Sequence, residues 1–357
     1  MSHRRTPPRG RAASSNPVNR FERIEVEPEE PSAQKIETLY LRDTSRTILA
    51  TNESPDVPFD VSLNPYRGCE HGCIYCFARP THEYLGFSAG LDFESRIMVK
   101  EDAPELLARE LDRPGWRPRF IGLSGVTDPY QPIERKLRLT RGCLEVLAAY
   151  RNPVGIVTKN TLVRRDADLL RELAVVDAAA VYLSITTLRS EITRVMEPRT
   201  SRPSDRLAAI RELSAVGVPC GVLVAPVIPG LTDHEIPEIL AAATDAGARF
   251  ASFIPLRLPG AVAPLFEDWL EERFPDRKKR VLNRVRDMRG GRLNDARFGS
   301  RMRGEGPYAE QIRALFDTSR RRLGLEHPGP KLSSAAFRRP SGHQLDLFPD
   351  EPTTEAD

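Results

Sequence analysis

Short apolar runs alternate with helical patterns between residues 60 and 262, and this alternation constrains the fold more than any other feature of the 357-residue chain. Six runs have the composition of β-strands: 61–63, 120–124, 155–158, 180–185, 221–227 and 250–255. Five segments have helical patterns: 103–111, 137–150, 164–175, 203–216 and 234–246. We expect a parallel sheet, because a helical crossover returns the chain to the same edge in the same direction.

The number of repeating units limits the architecture further. Six strand–helix units in about 200 residues are too few for a closed eight-unit barrel, which typically needs about 250 residues. The predicted fold class is therefore α/β, a partial (β/α)6 TIM-type barrel or an open sheet of the same strands. In both arrangements a ligand site lies at the C-terminal ends of the strands. Polar clusters follow these ends in the sequence, for example TDPYQP at 127–132, TKN at 158–160 and SITT at 184–187.

Composition divides the chain into four segments. Residues 1–20 contain five arginines and no acid, and residues 21–30 contain five glutamates, a charge pattern typical of disorder. The predicted segments are a disordered charged N-terminal tail (1–45), a partial-barrel core (55–262), a basic helical C-terminal extension (263–325) and a disordered tail (326–357).

Compartment and assembly follow from the apolar residues and the cysteines. The basic N-terminus has no apolar stretch after its arginines, which argues against a signal peptide. The longest apolar run, 222–228, is interrupted by Pro226 and is far too short to span a membrane. Five cysteines are too few, and odd in number, for a disulfide framework. We expect a cytoplasmic monomer without membrane contact.

Three of the five cysteines form a C-x3-C-x2-C motif, Cys69, Cys73 and Cys76, on a loop after the first predicted strand. Thiolates are soft ligands that suit zinc or iron–sulfur clusters. Cys143 lies inside a predicted helix and Cys220 begins a strand at the opposite face, so neither is well placed as a fourth ligand. Three protein ligands leave one position open, as a catalytic metal centre requires.

With Tyr75 directly before Cys76, this motif resembles that of the radical S-adenosylmethionine (SAM) superfamily, over about residues 60–262. The resemblance implies a [4Fe-4S] cluster on Cys69, Cys73 and Cys76. It also implies that the open iron binds the amine and carboxylate of SAM. Reductive cleavage of SAM then yields a 5′-deoxyadenosyl radical, which abstracts hydrogen from a substrate. An electron donor of the flavodoxin or ferredoxin type is the partner expected.

The alternative is a zinc site formed by the three cysteines with His71 or His82. In that case the chain is a non-catalytic, metal-containing protein that binds nucleic acid. Zinc modules more often use paired C-x2-C knuckles, which this sequence lacks.

Candidate SAM ligands come from the resemblance and from their positions after predicted strands. Thr127 and Asp128 stand where the superfamily holds the amine, although the usual Gly-Gly-Glu is absent and Asp128-Pro129 is also a common turn start. Ser184 and Thr186 stand where the ribose is bound, and β-favouring residues on a strand explain them equally well. Lys159 either meets a carboxylate or is solvated.

Glu197 and Arg206 lie in a segment that resembles one contacting the ligand in the superfamily. Surface charge at a helix start is the other explanation for both residues. No catalytic residue is assigned from the sequence.

The strings CIYCFARPTHEYL, TDPYQP and APVIPGLTD resemble the branch related to spore photoproduct lyase. Because the second predicted strand does not end in a cysteine, the repair chemistry of that branch is not transferred, and the substrate stays unassigned.

Residues 264–325 contain 16 Lys or Arg against 10 Asp or Glu. The arginine-rich part, 277–303, either contacts the phosphates of a nucleic acid or forms a helical cap whose charges stay in water.

Overall fold

The computed structural model describes residues 8, 10–21, 36–326 and 329–340. The strands in these ranges are β1 Leu39–Arg42, β2 Leu49–Thr51, β3 Val61–Leu63, β4 Tyr66–Arg67, β5 Arg96–Val99, β6 Ile121–Leu123, β7 Val154–Thr158, β8 Ala179–Ser184, β9 Cys220–Val227 and β10 Phe250–Pro255. The α-helices are α1 Leu91–Ser95, α2 Ala103–Asp112, α3 Glu134–Leu137, α4 Leu139–Tyr150, α5 Ala167–Ala174, α6 Ser190–Met196, α7 Pro203–Ala215, α8 Ile236–Asp245, α9 Val262–Arg273, α10 Pro275–Asp287, α11 Ser300–Arg303 and α12 Pro307–Arg322. Short 3₁₀ helices span Arg79–Leu85, Thr161–Asp166 and Asp233–Glu235.

A seven-stranded sheet forms the centre of the fold, in the order β10-β9-β8-β7-β6-β3-β2. Six of its strands run parallel to one another: β3, β6, β7, β8, β9 and β10. These six coincide with the six runs predicted from the sequence. The short edge strand β2 pairs antiparallel to β3 and was not predicted. This topology is that of a partial TIM-type barrel, which confirms the predicted fold class.

The main hydrophobic core lies between this sheet and the helices that connect its strands. The three- and four-residue spacing of apolar residues in α7 and α8 places Ile210, Leu213, Ile239 and Leu240 in that core, each fully buried. Strands β7 to β9 are largely buried as well, because helices cover the sheet that they form.

A second, three-stranded sheet in the order β1-β5-β4 lies beside the start of the core. Strand β5 pairs parallel to β1 and antiparallel to β4, so it joins the N-terminal region to the chain just before the cysteines. The cysteine-containing loop, 68–76, follows β4 directly.

The predicted disorder of residues 1–45 is wrong for residues 10–21 and 36–45. Ala12 and Ala13 are buried, and β1 pairs with β5 along four residues. The reason is tertiary: buried backbone groups of this polar segment find hydrogen-bond partners on distant parts of the chain. Residues 1–7, 9 and 22–35 lie outside the described residues.

Part of the C-terminal tail is also placed. Residues 329–340 have no helix or strand, but Phe337 packs against Tyr150, and Ser333 N donates to Asp177 O at 2.9 Å. Residues 327–328 and 341–357 lie outside the described residues.

The C-terminal extension is helical, from α9 to α12. Trp269 of α9 and Val281 of α10 share one hydrophobic cluster with Ile74 and Tyr75 of the cysteine loop. The extension therefore packs directly on the loop that holds the motif. Within the described ranges, the structure has no helix with the length and apolar character needed to cross a membrane.

Candidate metal and cofactor site

The three motif cysteines lie on one tightly turned loop. Gly72 N donates to Cys69 O, and Cys76 N donates to Cys73 O, each at 3.2 Å. Gly72 has φ +64°, and a Cβ there would lie 2.7 Å from a carboxylate oxygen of Glu94. Only glycine fits this turn without strain. The loop therefore folds back on itself and keeps the three cysteines within one short turn.

Burial and the charges of neighbouring thiols both shift the pKa values of Cys73 and Cys76. Burial, with a smaller contribution from the charge of neighbouring Cys69, raises the pKa of Cys76 to about 11, and the charge of Arg79 opposes the shift. Burial likewise raises the pKa of Cys73, with a contribution from the charges of Cys76 and Cys69. The charge of a neighbouring motif thiol therefore contributes to the raised pKa of both Cys73 and Cys76. A bound metal reverses this effect, because coordination deprotonates a thiol.

Thr127 and Asp128 anchor the cysteine loop to the strand ends. Thr127 Oγ1 donates to Gly68 O at 2.9 Å. Asp128 accepts hydrogen bonds from Lys159 N and Thr158 Oγ1, both at 2.7 Å, and its carboxylate lies 3.3 Å from His71 Nδ1.

The His71–Asp128 pair alters both pKa values. Burial alone would lower the pKa of His71, but the charges of Asp128 and Cys69 and its hydrogen bonds with both together raise it to about 10. Burial alone would raise the pKa of Asp128, but the charge of His71 and the hydrogen bonds from His71, Lys159 and Thr158 together lower it. His71 faces Asp128 and Asn160, so the ring is engaged in holding the loop.

Ser184, Thr186, Glu197 and Arg206 are brought together at the end of β8. Thr186 Oγ1 donates to Glu197 Oε1 at 2.7 Å, and Arg206 pairs with Glu197 Oε2 at 2.5 Å. Arg206 also donates to the carbonyl oxygen of Ser184 at 2.7 Å. Glu197 and Arg206 are each only 1% exposed. Their charges therefore belong to a buried network, and the interpretation as surface charge is wrong.

Lys159 enters the same network from the end of β7. Its ammonium donates to Ser184 Oγ at 2.7 Å and to Ala225 O at 2.8 Å, and lies 3.5 Å from Glu197 Oε1. Burial on its own would raise the pKa of Glu197, but the charges of Arg206 and Lys159 hold it well below the usual range. Of the two interpretations of Lys159 from the sequence, contact with a carboxylate is the one observed.

Tyr75 connects the cysteine loop to this network. Its hydroxyl donates to Glu197 and lies 3.3 Å from Thr186 Oγ1, and its ring centre is 5.6 Å from the ammonium of Lys159. The charges of Glu197 and Lys159 also affect the pKa of Cys73. From sequence, Tyr75 is only an aromatic residue of the motif. Its role as a link depends on the packing of distant strand ends.

The buried polar network adjoins the motif cysteines at the C-terminal edge of the parallel strands, where a ligand is expected. This combination of a partial barrel and a three-cysteine loop defines the class of protein. The sequence profile of the Radical SAM superfamily matches residues 63–243. The chain belongs to this superfamily, which uses an iron–sulfur cluster and SAM.

Two relatives with similar sequences are described as uncharacterised proteins. An uncharacterised protein of Mycobacterium tuberculosis (strain H37Rv) is 40% identical over 244 residues, which cover 67% of this chain and 71% of that protein. An uncharacterised protein of Methanocaldococcus jannaschii is 28% identical over 223 residues, covering 62% of this chain and 80% of that one.

Solved structures of spore photoproduct lyase have a similar fold. A cysteine-to-serine mutant of that lyase is 18% identical, with a TM-score of 0.56 and coverage of 80% of each chain. A double mutant of the lyase with bound AdoMet and dinucleoside spore photoproduct is 17% identical, with the same TM-score and coverage. At this identity the similarity concerns the fold.

Proposed function

We propose that this chain is a radical SAM enzyme that binds a [4Fe-4S] cluster through Cys69, Cys73 and Cys76 and reductively cleaves SAM. The observation behind the proposal is the position of these thiols, on one turned loop beside a buried polar network at the C-terminal strand ends. Among the described residues, no three or more His, Cys, Asp or Glu side chains are grouped so that they could hold a metal ion. The cluster assignment therefore rests on the motif and on the superfamily.

A cluster held by Cys69, Cys73 and Cys76 would supply the electron for reductive cleavage of SAM and so the radical chemistry on a substrate. The protein contributes binding, orientation and the exclusion of water. Lys159 presents an ammonium suited to the carboxylate of SAM. The hydroxyls of Ser184 and Thr186 suit the ribose, and Asp128 suits the amine. Glu197 and Arg206 are buried and paired with each other, and their contacts with Thr186, Ser184 and Lys159 hold these residues in position.

Metal content and SAM cleavage test this proposal. Protein reconstituted anaerobically with iron and sulfide is expected to be brown and to release 5′-deoxyadenosine from SAM with dithionite or reduced flavodoxin. Cys73→Ala removes one thiolate and abolishes both properties. Cys143→Ala is the matched control, because Cys143 is buried in the core away from the loop. Colourless protein with one zinc and no iron would refute the proposal and favour the zinc alternative.

We further propose that the substrate is a nucleic acid that docks beside the cysteine loop. Phe77 directly follows Cys76, is 47% exposed, and lies under the guanidinium of Arg257 at 4.6 Å. Phe298 is 61% exposed and stacks with Arg301 at 4.5 Å. Arg257 is close enough to Arg301 for their charges to interact. Exposed rings beside arginines suit bases and phosphates respectively.

The arginines of 277–303 divide between two roles. Arg289 is 2% exposed and donates to the carbonyl oxygens of Ser300, Arg301, Pro255 and Leu256. These hydrogen bonds show that Arg289 stabilises the helical cap. Arg303 is exposed and lines a shallow pocket of about 380 Å³ together with Phe298. It is available to a phosphate.

Salt-dependent binding of a single-stranded oligonucleotide tests the docking surface. Phe298→Ala with Arg303→Gln is expected to weaken binding about tenfold or more, since each stacked base contributes about 1–3 kcal/mol. Arg303→Gln also lowers the salt slope by about one. The matched control is Arg277→Gln, an exposed arginine of α10. Equal affinities for the wild type and the double variant would overturn this part of the proposal and leave SAM cleavage unaffected.

A further inference from the structure

Arg79 lies three residues after Cys76 and is fully buried. Its Nε donates to Cys73 O and its Nη2 donates to Gly72 O, both at 3.0 Å. The same guanidinium donates to Ala89 O at 3.1 Å and to Gly90 O at 2.9 Å. One side chain therefore holds the middle of the cysteine loop by two carbonyl groups and ties it to the turn before α1.

Glu94 of α1 is the counter-ion of Arg79. Their side chains are 0% exposed and pair at 2.5 Å. Glu94 also lies against Gly72, the position where a Cβ would meet its carboxylate. A buried ion pair is stable only when its remaining hydrogen-bonding positions are satisfied. Glu94 meets this requirement with the backbone N–H groups of Ala13 at 3.1 Å and Ala12 at 3.3 Å.

The segment 10–21, here called the strap, supplies these two N–H groups. It runs so close to α1 that a Cβ at Gly90 would lie 2.0 Å from Ser15 O. Ser88 Oγ donates to Pro17 O at 2.6 Å, and Asn19 donates to Glu83 O at 3.0 Å. Buried Ala12 and Ala13 belong to the same hydrophobic cluster as Cys73 and Ile74. The strap therefore covers one side of the cysteine loop.

We propose that the strap, Glu94 and Arg79 form one positioning unit that holds the cysteine loop in its ligand-binding shape and slows the loss of the cluster. The part of this inference that concerns the cluster rests on the proposed function. The part that concerns the order of the loop does not. Without the strap, water reaches the Arg79–Glu94 pair, and two charge-assisted hydrogen bonds to the carboxylate are lost. The loop then opens more often.

Hydrogen exchange of the metal-free protein tests the order of the loop. The reporters are the amides of Gly72, bonded to Cys69 O, and Ile74, bonded to Met196 O at 3.1 Å. Deletion of residues 2–21 is expected to speed their exchange by about tenfold or more. The control is deletion of residues 2–7, which leaves the strap in place. In the reconstituted protein, the longer deletion is expected to speed iron release to a chelator by a similar factor.

Glu94→Gln keeps the side-chain shape and removes the charge, and it tests the unit if the deletion prevents folding. It is expected to speed exchange of the Gly72 and Ile74 amides and iron release. The matched control is Glu134→Gln, since Glu134 is equally buried and ion-paired but contacts Tyr66, Thr140 and Arg165. Glu134→Gln is expected to leave both measurements unchanged.

Wild-type exchange in Glu94→Gln would overturn the inference, whatever metal the protein binds. Faster exchange in a protein that never assembles an iron–sulfur cluster would support the positioning unit and refute the proposed function. The two failures are therefore distinguishable.

Discussion

Replacing Glu197 by glutamine is the most informative perturbation of the buried network. Glu197 is 1% exposed, pairs with Arg206 at 2.5 Å and lies 3.5 Å from the ammonium of Lys159. Glutamine fills the same volume but leaves the buried Arg206 and the partly buried Lys159 without their anion. Removing one partner of a buried pair costs about 3–5 kcal/mol. With an unfolding entropy of about 2.1 cal/mol/K per residue, that corresponds for a chain of 357 residues to a fall in Tm of roughly 4–7 °C.

The measurement is thermal unfolding of the metal-free protein followed by tryptophan fluorescence. Glu191→Gln is the control, because Glu191 is an exposed residue of α6, and we expect it to stay within about 1 °C of the wild type. A Tm of Glu197→Gln equal to that of the control would refute the reasoning, because it would mean that the carboxylate is not needed to balance Arg206 and Lys159.

The pH dependence of the Tm difference between wild type and Glu197→Gln tests the same reasoning. The pKa of Glu197 is lower in the folded than in the unfolded protein, so its stabilising contribution is complete above the unfolded value of about 4.3 and declines as the pH falls below it. The Tm difference between wild type and Glu197→Gln is therefore expected to be largest near neutral pH and to shrink in acid. A difference that grows on acidification would contradict the assignment of the charge.

Three further changes have defined outcomes. Gly72→Ala is expected to cost about 1–2 kcal/mol, because φ is positive and the added Cβ meets Glu94; unfolding by urea and the iron content of reconstituted protein would show it. Lys159→Met is expected to raise the KM for SAM about tenfold through loss of a charge-assisted hydrogen bond, whereas the exposed Lys136→Met is not. Arg289→Met leaves buried carbonyl oxygens without donors and is expected to cost about 2–4 kcal/mol in urea unfolding.

The six parallel strands could be predicted from the sequence because strand and helix periodicities are local properties of the chain. The position of the cysteine loop after the first of them followed for the same reason. The three motif cysteines could be identified from the sequence because their residue type and their spacing both lie within one short segment. The edge strand β2 was missed, since a three-residue strand has too few residues to show a pattern.

Tertiary structure alone decided how the charged residues are used. The sequence indicates that Asp128, Glu197 and Arg206 are polar groups near strand ends. Only packing shows that Glu197 and Arg206 are buried, that Asp128 is partly buried, and which partners each one has. The segment 10–21 has the composition of a disordered tail. It is nevertheless placed, because Glu94 accepts its backbone N–H groups from more than eighty residues away in the chain. Local periodicity therefore determined the strands and the motif, while the partners of buried charges depended on long-range contacts that no local pattern records.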